Sequence, residues 1–172
     1  AECRGSIVDE DFNLISYPFT KIYNYGIEKE APVLDDNTMV TAFRKVNGFM
    51  VALTYHNNDV LVSTTGSTDS DFVGYAKEMM LKHMPWADWQ MALANDDNRG
   101  MTFMFECVHN NDPHIVVEKP GMYILNCRGP IWVLTSTAKR CVKISCSIYH
   151  TSLQSKEALK EAIRSPFAKQ MF

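Results

Sequence analysis

Along most of this chain, apolar and polar positions alternate with the period of short strands. Residues 6–8, 14–17 and 21–25 read as short extended segments, separated by Asp9-Glu10-Asp11 and by Pro18. Residues 39–43 and 49–56 are β-branched and aromatic runs. Asn57-Asn58-Asp59 then predicts a tight turn into residues 60–64, which makes a hairpin. From Asp69 the period lengthens. Phe72, Tyr75, Ala76, Met79, Met80 and His83 recur every three or four positions and predict a helix that stops before Pro85, with Phe72, Tyr75, Met79 and Met80 as its core stripe. Residues 90–94 suggest a further helical piece, and 95–100 a polar loop. Strands are predicted at 101–108, 115–117, 122–127, 131–135 and 140–145, and a last helix at 155–164. The fold class is therefore α+β, an antiparallel sheet with a few covering helices.

Composition narrows the function classes. The chain has 172 residues, 46% apolar and 22% charged, with a net charge of −3 and a pI near 5.9. That excludes an intrinsically disordered chain, and no 18-residue apolar run suggests a membrane-spanning helix. The mild acidity argues against a basic nucleic-acid coat but leaves room for a local basic groove. Ala1-Glu2-Cys3-Arg4-Gly5 has neither region of a signal peptide and reads as the middle of a longer chain. Cysteines at 3, 107, 127, 141 and 146 match no common zinc spacing, so packed, reduced thiols in a cytoplasmic protein are expected. His56, His109 and His114 sit beside Asn and Asp and are expected at the surface.

The segment richest in chemistry is Arg44-Lys45-Val46-Asn47-Gly48. A lysine at a strand end, followed by Asn and Gly, presents an amine at a tight turn. A deprotonated lysine is a good nucleophile toward phosphoryl centres, and a neighbouring cation such as Arg44 favours loss of its proton. The same pattern also describes a solvated lysine before a hairpin. Glu106 stands out independently, because a carboxylate directly after Met-Thr-Phe-Met-Phe is poorly placed for a solvated face.

Context favours chemistry. Glu2-Cys3-Arg4-Gly5 followed by Tyr17-Pro18-Phe19-Thr20-Lys21-Ile22-Tyr23-Asn24 resembles the opening of the adenylyltransferase domain of the T4 RNA ligase 1 family. Lys45-Val46-Asn47-Gly48 resembles its motif I, with Asn in place of the common Asp. Phe103-Met104-Phe105-Glu106 is similar to motif III, residues 122–128 to motif IIIa, and Val142-Lys143-Ile144-Ser145 with Tyr149 to motif V. The resemblance runs through nearly the whole chain in the family's order. It implies an antiparallel-sheet nucleotidyltransferase fold over residues 1–172 and an ATP-dependent RNA ligase. Lys45 would carry AMP as a covalent intermediate. Arg4, Lys21 and Lys143 would surround the phosphates with Mg²⁺. Glu106 would hold the ribose or a metal-bound water, Asn47 and Gly48 would shape the turn, and Tyr123 or Tyr149 would line the nucleoside pocket. The implied partner is RNA with a 5′-phosphate and a 3′-hydroxyl, by analogy transfer RNA under repair in the host cytoplasm of a phage or virus.

The chain departs from that pattern in several places. Arg128 occupies the position of a motif IV Glu, and the stretch expected between motifs IIIa and IV is missing between Arg128 and Gly129. Ser145 replaces a second motif V lysine, and residues 63–67 lack the usual basic residue. An incomplete core, with a segment absent near 128/129, is the expectation. Two other readings stand beside the ligase: a non-catalytic module that binds RNA or nucleotide, and a DNA ligase or capping-type nucleotidyltransferase.

Overall fold

A computed structural model describes residues 3–20, 22–24, 27, 29, 33, 37 and 44–129. Its elements in chain order are β1 (Ile7–Val8), β2 (Leu14–Ser16), β3 (Phe49–His56), β4 (Asp59–Ser63), α1 (Asp71–His83), α2 (Trp86–Leu93), β5 (Thr102–Val108) and β6 (Gly121–Arg128). β1 and β2 pair in a small hairpin, while the main sheet has the order β4-β3-β5-β6 with every pairing antiparallel. The predicted strands at 101–108 and 122–127 and the predicted hairpin all appear, within a residue of their expected bounds. The strands predicted at 39–43, 131–135 and 140–145 and the helix at 155–164 lie wholly or mostly outside the described residues.

Local chemistry explains the elements. Asn57 and Asn58 both take left-handed backbone angles, φ 49° and 61°, as a two-residue turn matching strand twist requires. Before α1, the Ser67 hydroxyl accepts the amides of Asp69 and Ser70, and α1 stops when Met84 turns extended ahead of Pro85. Residues 115–117 do not form the expected strand. Ile115 is fully exposed and Val117 nearly so, and the run takes no place in either sheet. Residues 22–24, in the middle of another expected segment, also carry no strand.

The sheet has two unlike faces, set by side-chain alternation. Val51, Leu53, Val60, Val62, Phe103, Phe105 and Cys107 face the helices and pack on Val73, Ala76, Met80, Trp89 and Leu93. Trp89 is fully buried, and its indole N–H donates to the Met80 carbonyl at 3.0 Å. Phe72 corrects the predicted stripe. It is 41% exposed and stacks at the rim, edge-on to Phe49 and Tyr75, while Val73 takes the buried place. A register shift opposite Met104 and Phe105 inserts Leu125 as an extra residue in β6. Residues after it change face, so Cys127 joins Met122 and Ile124 in the helix-side core.

On the other face, the segment around β2 covers Thr54 and Thr102. Their hydroxyls lie 3.1 Å apart, and the Tyr17 amide donates to Thr102 Oγ1 at 2.8 Å. Arg128 stacks its guanidinium 3.6 Å from the Tyr17 ring centre and donates to the Pro18 carbonyl, tying the end of β6 to the same segment.

Asp59 links the hairpin to α2. Its Oδ1 accepts the Val60 amide, the Trp86 indole N–H and the Gln90 amide. The Val60 amide first, then Trp86, hold its carboxyl below the usual aspartate value. The carboxylate is exposed and solvent-screened, so Asp59→Ala should lower Tm by only about 2–4 °C in a calorimetric scan. A group with a depressed folded value stabilises above its unfolded value. The gap between parent and variant should therefore close as pH falls through the folded carboxyl's own titration.

Among the described residues, no helix is long and apolar enough to cross a membrane.

Candidate active site

The turn before β3 is built from one buried and two polar residues. Val46, 3% exposed, packs with Val108 and Tyr123 in a small cluster separate from the main core. That anchor leaves Lys45 on the surface, where its Nζ donates to Asn47 Oδ1 at 3.0 Å. Asn47 was expected to bend the backbone. Its φ is not left-handed, and its side chain instead holds the lysine.

Gly48 likewise has a reason other than conformational freedom, since its φ is not positive. A Cβ on Gly48 would lie 2.2 Å from the Cys107 carbonyl oxygen and 3.2 Å from Val108 Cγ2. The chain needs glycine because β3 approaches β5 this closely. Removing backbone freedom by Gly48→Ala would contribute less than 1 kcal/mol in its favour. The clash with rigid backbone outweighs that, so a net loss of about 3 kcal/mol is expected. Thermal unfolding should fall by roughly 6–12 °C.

Closeness also brings in the carboxylate. β3 and β5 pair with Met50 opposite Glu106, and the Gly48 amide donates to Glu106 Oε1 at 3.0 Å. Burial pushes the Glu106 carboxyl up, while the Gly48 amide and the Lys45 charge pull it back, and the rise prevails. Lys45, Asn47, Gly48 and Glu106 therefore meet at one end of the sheet, as their sequence pattern implied.

Other candidates are placed differently. Arg44, read from the sequence as a cation acting on Lys45, has its guanidinium paired with Glu118. Tyr123 is 5% exposed under Val46, and its hydroxyl donates to the Lys119 carbonyl at 2.7 Å. Burial first, then the Glu118 charge, raises its phenol. Arg4 is exposed in the turn that precedes β1. Gly5 beside it, at φ 73°, rests against Pro18 and Thr65. Lys21, Lys143 and Tyr149 lie outside the described residues, as do the stretches read as motifs IV and V beyond Gly129.

Two neighbouring features went unread in the sequence. His109, expected at the surface, is buried, stacked on Tyr75 at 4.5 Å. Its Nδ1 accepts the Asn111 amide, and its Nε2 lies 3.3 Å from Glu78 Oε2, so it pins the loop after β5 to α1. Directly beside Asn47, that loop lines a half-open pocket of about 190 Å³. Asp112 and His114 pair within it at 2.8 Å. Cys107, one residue after Glu106, is an inert core thiol, pushed up to about 12 chiefly by burial.

The geometry gathers an exposed lysine turn and a partly buried carboxylate on an antiparallel sheet, and comparison with known families supplies the class. The family model for RNA ligases matches residues 2–152, so ligases are the class. The chain belongs to the T4 RNA ligase 1 family. A comparison with curated proteins found no match.

Proposed function

We propose that this protein is an ATP-dependent RNA ligase of the covalent nucleotidyltransferase type, acting through Lys45. The observation that carries the reading is the meeting of Lys45, Asn47 and Glu106 at the start of β3, with Gly48 joining turn to carboxylate. The Asn47 side-chain oxygen holds Nζ at 3.0 Å, within electrostatic reach of the Glu106 carboxylate. Deprotonated Nζ then forms a bond to the α-phosphorus of ATP as the bond to the pyrophosphate oxygen breaks, leaving AMP on Lys45. A 5′-phosphate oxygen of RNA next displaces the lysine and takes the AMP. Finally a 3′-hydroxyl oxygen attacks that 5′-phosphorus, releases AMP and closes the strand.

The residues fit a magnesium ion bound mostly through substrate. Glu106 offers one carboxylate oxygen beyond the one that accepts the Gly48 amide, and Mg²⁺ characteristically uses one or two carboxylates alongside phosphates and water. When bound, it supplies charge neutralisation for the phosphates. Arg4, and with it Lys21 and Lys143, would act on the same charge, while Tyr149 would border the nucleoside; Tyr123, buried under Val46, instead supports the turn.

The test incubates the protein with radiolabelled ATP and Mg²⁺ and resolves it on a denaturing gel. Covalent label that chases onto 5′-phosphorylated RNA, and a sealed product, are expected. Absence of label sinks the reading, and label from GTP alone points to a capping-type enzyme.

A further inference from the structure

The turn that presents Lys45 is held from two sides, and the chemistry above uses only one of them. After the lysine, Asn47 accepts a hydrogen bond from its amine, and the Gly48 amide donates to Glu106. Before the lysine, Arg44 Nη2 donates to Glu118 Oε2, a partner 74 positions away in the segment leading into β6. The two ends of that ion pair are buried very unequally. The Arg44 side chain is 68% exposed and that of Glu118 only 5%.

That inequality is informative. A pair whose cation lies open to solvent adds little to the stability of a fold. A carboxylate withdrawn from water nevertheless needs a partner, and among the described residues the ion pair of Glu118 is with Arg44. The residue after Glu118 repeats the connection. The Lys119 carbonyl accepts the Tyr123 hydroxyl, and Tyr123 packs under Val46. Glu118 and Arg44 act on the Tyr123 phenol in opposite directions, which places the pair against the same small cluster. Residues 118–119 therefore hold the chain on either side of Lys45, at 44 directly and at 46 through Tyr123, while Glu106 holds it at 48. A backbone fixed at three points leaves the lysine side chain as the moving part. An attacking amine needs such a base, because a misplacement of about 1 Å can cost on the order of 10²-fold in rate.

We infer that Glu118 is a positioning residue for Lys45: through Arg44 it fixes the backbone from which the amine is presented, without touching the reacting atoms. The inference rests on the ligase reading for what Lys45 does, but the bracing itself can be measured without ATP.

Single-turnover labelling by radiolabelled ATP and Mg²⁺ is followed across a range of ATP concentrations. Glu118→Ala and Arg44→Ala should each slow labelling at saturating ATP by about tenfold or more, while the ATP concentration for half-maximal rate stays within about twofold of the parent. The variant carrying both changes should be no slower than either alone, because each removes the same tie. Glu118→Gln keeps an oxygen for the Arg44 guanidinium and should label within about threefold of the parent rate. Parent-like labelling by both alanine variants overturns the inference, as do losses that multiply in the double variant or a Glu118→Gln rate as low as that of Glu118→Ala. Should Glu118→Ala not fold, Arg44→Ala, which alters an exposed side chain, and Glu118→Gln decide by the same limits. Amide hydrogen exchange without nucleotide gives the second reading. In Arg44→Ala the amides of residues 46–48 should exchange about tenfold faster than in the parent. If the parent takes no label from ATP, the ligase reading falls and exchange alone decides: faster exchange at 46–48 upholds the bracing, and parent-like exchange overturns it.

Discussion

Lys45→Ala protein, mixed with radiolabelled ATP and Mg²⁺, should remain unlabelled, a loss on the order of 10⁴-fold or more, while unfolding within about 1–2 °C of the parent. The two halves of that expectation come from one observation. Lys45 is exposed, and its Nζ contributes a hydrogen bond to Asn47 that water can replace, so truncation leaves the fold nearly untouched. The buried anchor is its neighbour Val46, which stays in place on Val108 and Tyr123. Lys45→Arg provides the sharper control. It preserves the positive charge and the donor to Asn47, but a guanidinium does not give up its proton in proteins and has no lone pair for phosphorus. If Lys45→Arg still takes label, the charge matters and the nucleophile lies elsewhere.

The elements read most accurately from sequence were those whose own chemistry determines them. The Asn57-Asn58 turn and the halt of α1 before Pro85 depend on backbone preferences of the residues named, and both stand where expected. That residues 45, 47, 48 and 106 would lie together was also legible, through the spacing and order of motifs. Their physical roles were not. Gly48 looked like a source of flexibility, whereas the Cys107 carbonyl of β5, some sixty positions away, is what excludes any side chain there. No local pattern encodes that approach. The surface assignment of His109 failed in the same way: flanking Asn residues suggested exposure, but packing against Tyr75 and Glu78 of α1 decides it. Residues 115–117 show the converse. β-Branched composition expresses a preference for pleated, half-buried surroundings, and this loop offers none.

Glu106→Gln should separate stability from activity. Glutamine keeps a carbonyl oxygen to accept the Gly48 amide and nearly the same shape, so the link between turn and strand survives. What it removes is a charge that the fold disfavours, since burial holds the Glu106 carboxyl above the usual glutamate value. A group whose folded value is raised contributes its stability in the protonated form. That contribution is complete below the unfolded value and disappears as pH rises through the folded one. The parent should therefore lose ground to Glu106→Gln as pH climbs through that window, and at neutral pH the variant should melt at the same temperature or higher. Activity runs the opposite way. A carboxylate aimed at ribose hydroxyls or a magnesium-bound water works only when ionised, and removing one such preorganised group costs about 10²–10³-fold. The parent's rate of lysine labelling should fall as acid protonates Glu106, with a midpoint above that of an ordinary glutamate, whereas the residual rate of the variant should lack that step. A variant that loses both stability and labelling would make Glu106 a structural strut between β3 and β5. One that gains stability while losing labelling identifies it as a carboxylate kept buried for its chemistry, at the expense of the fold.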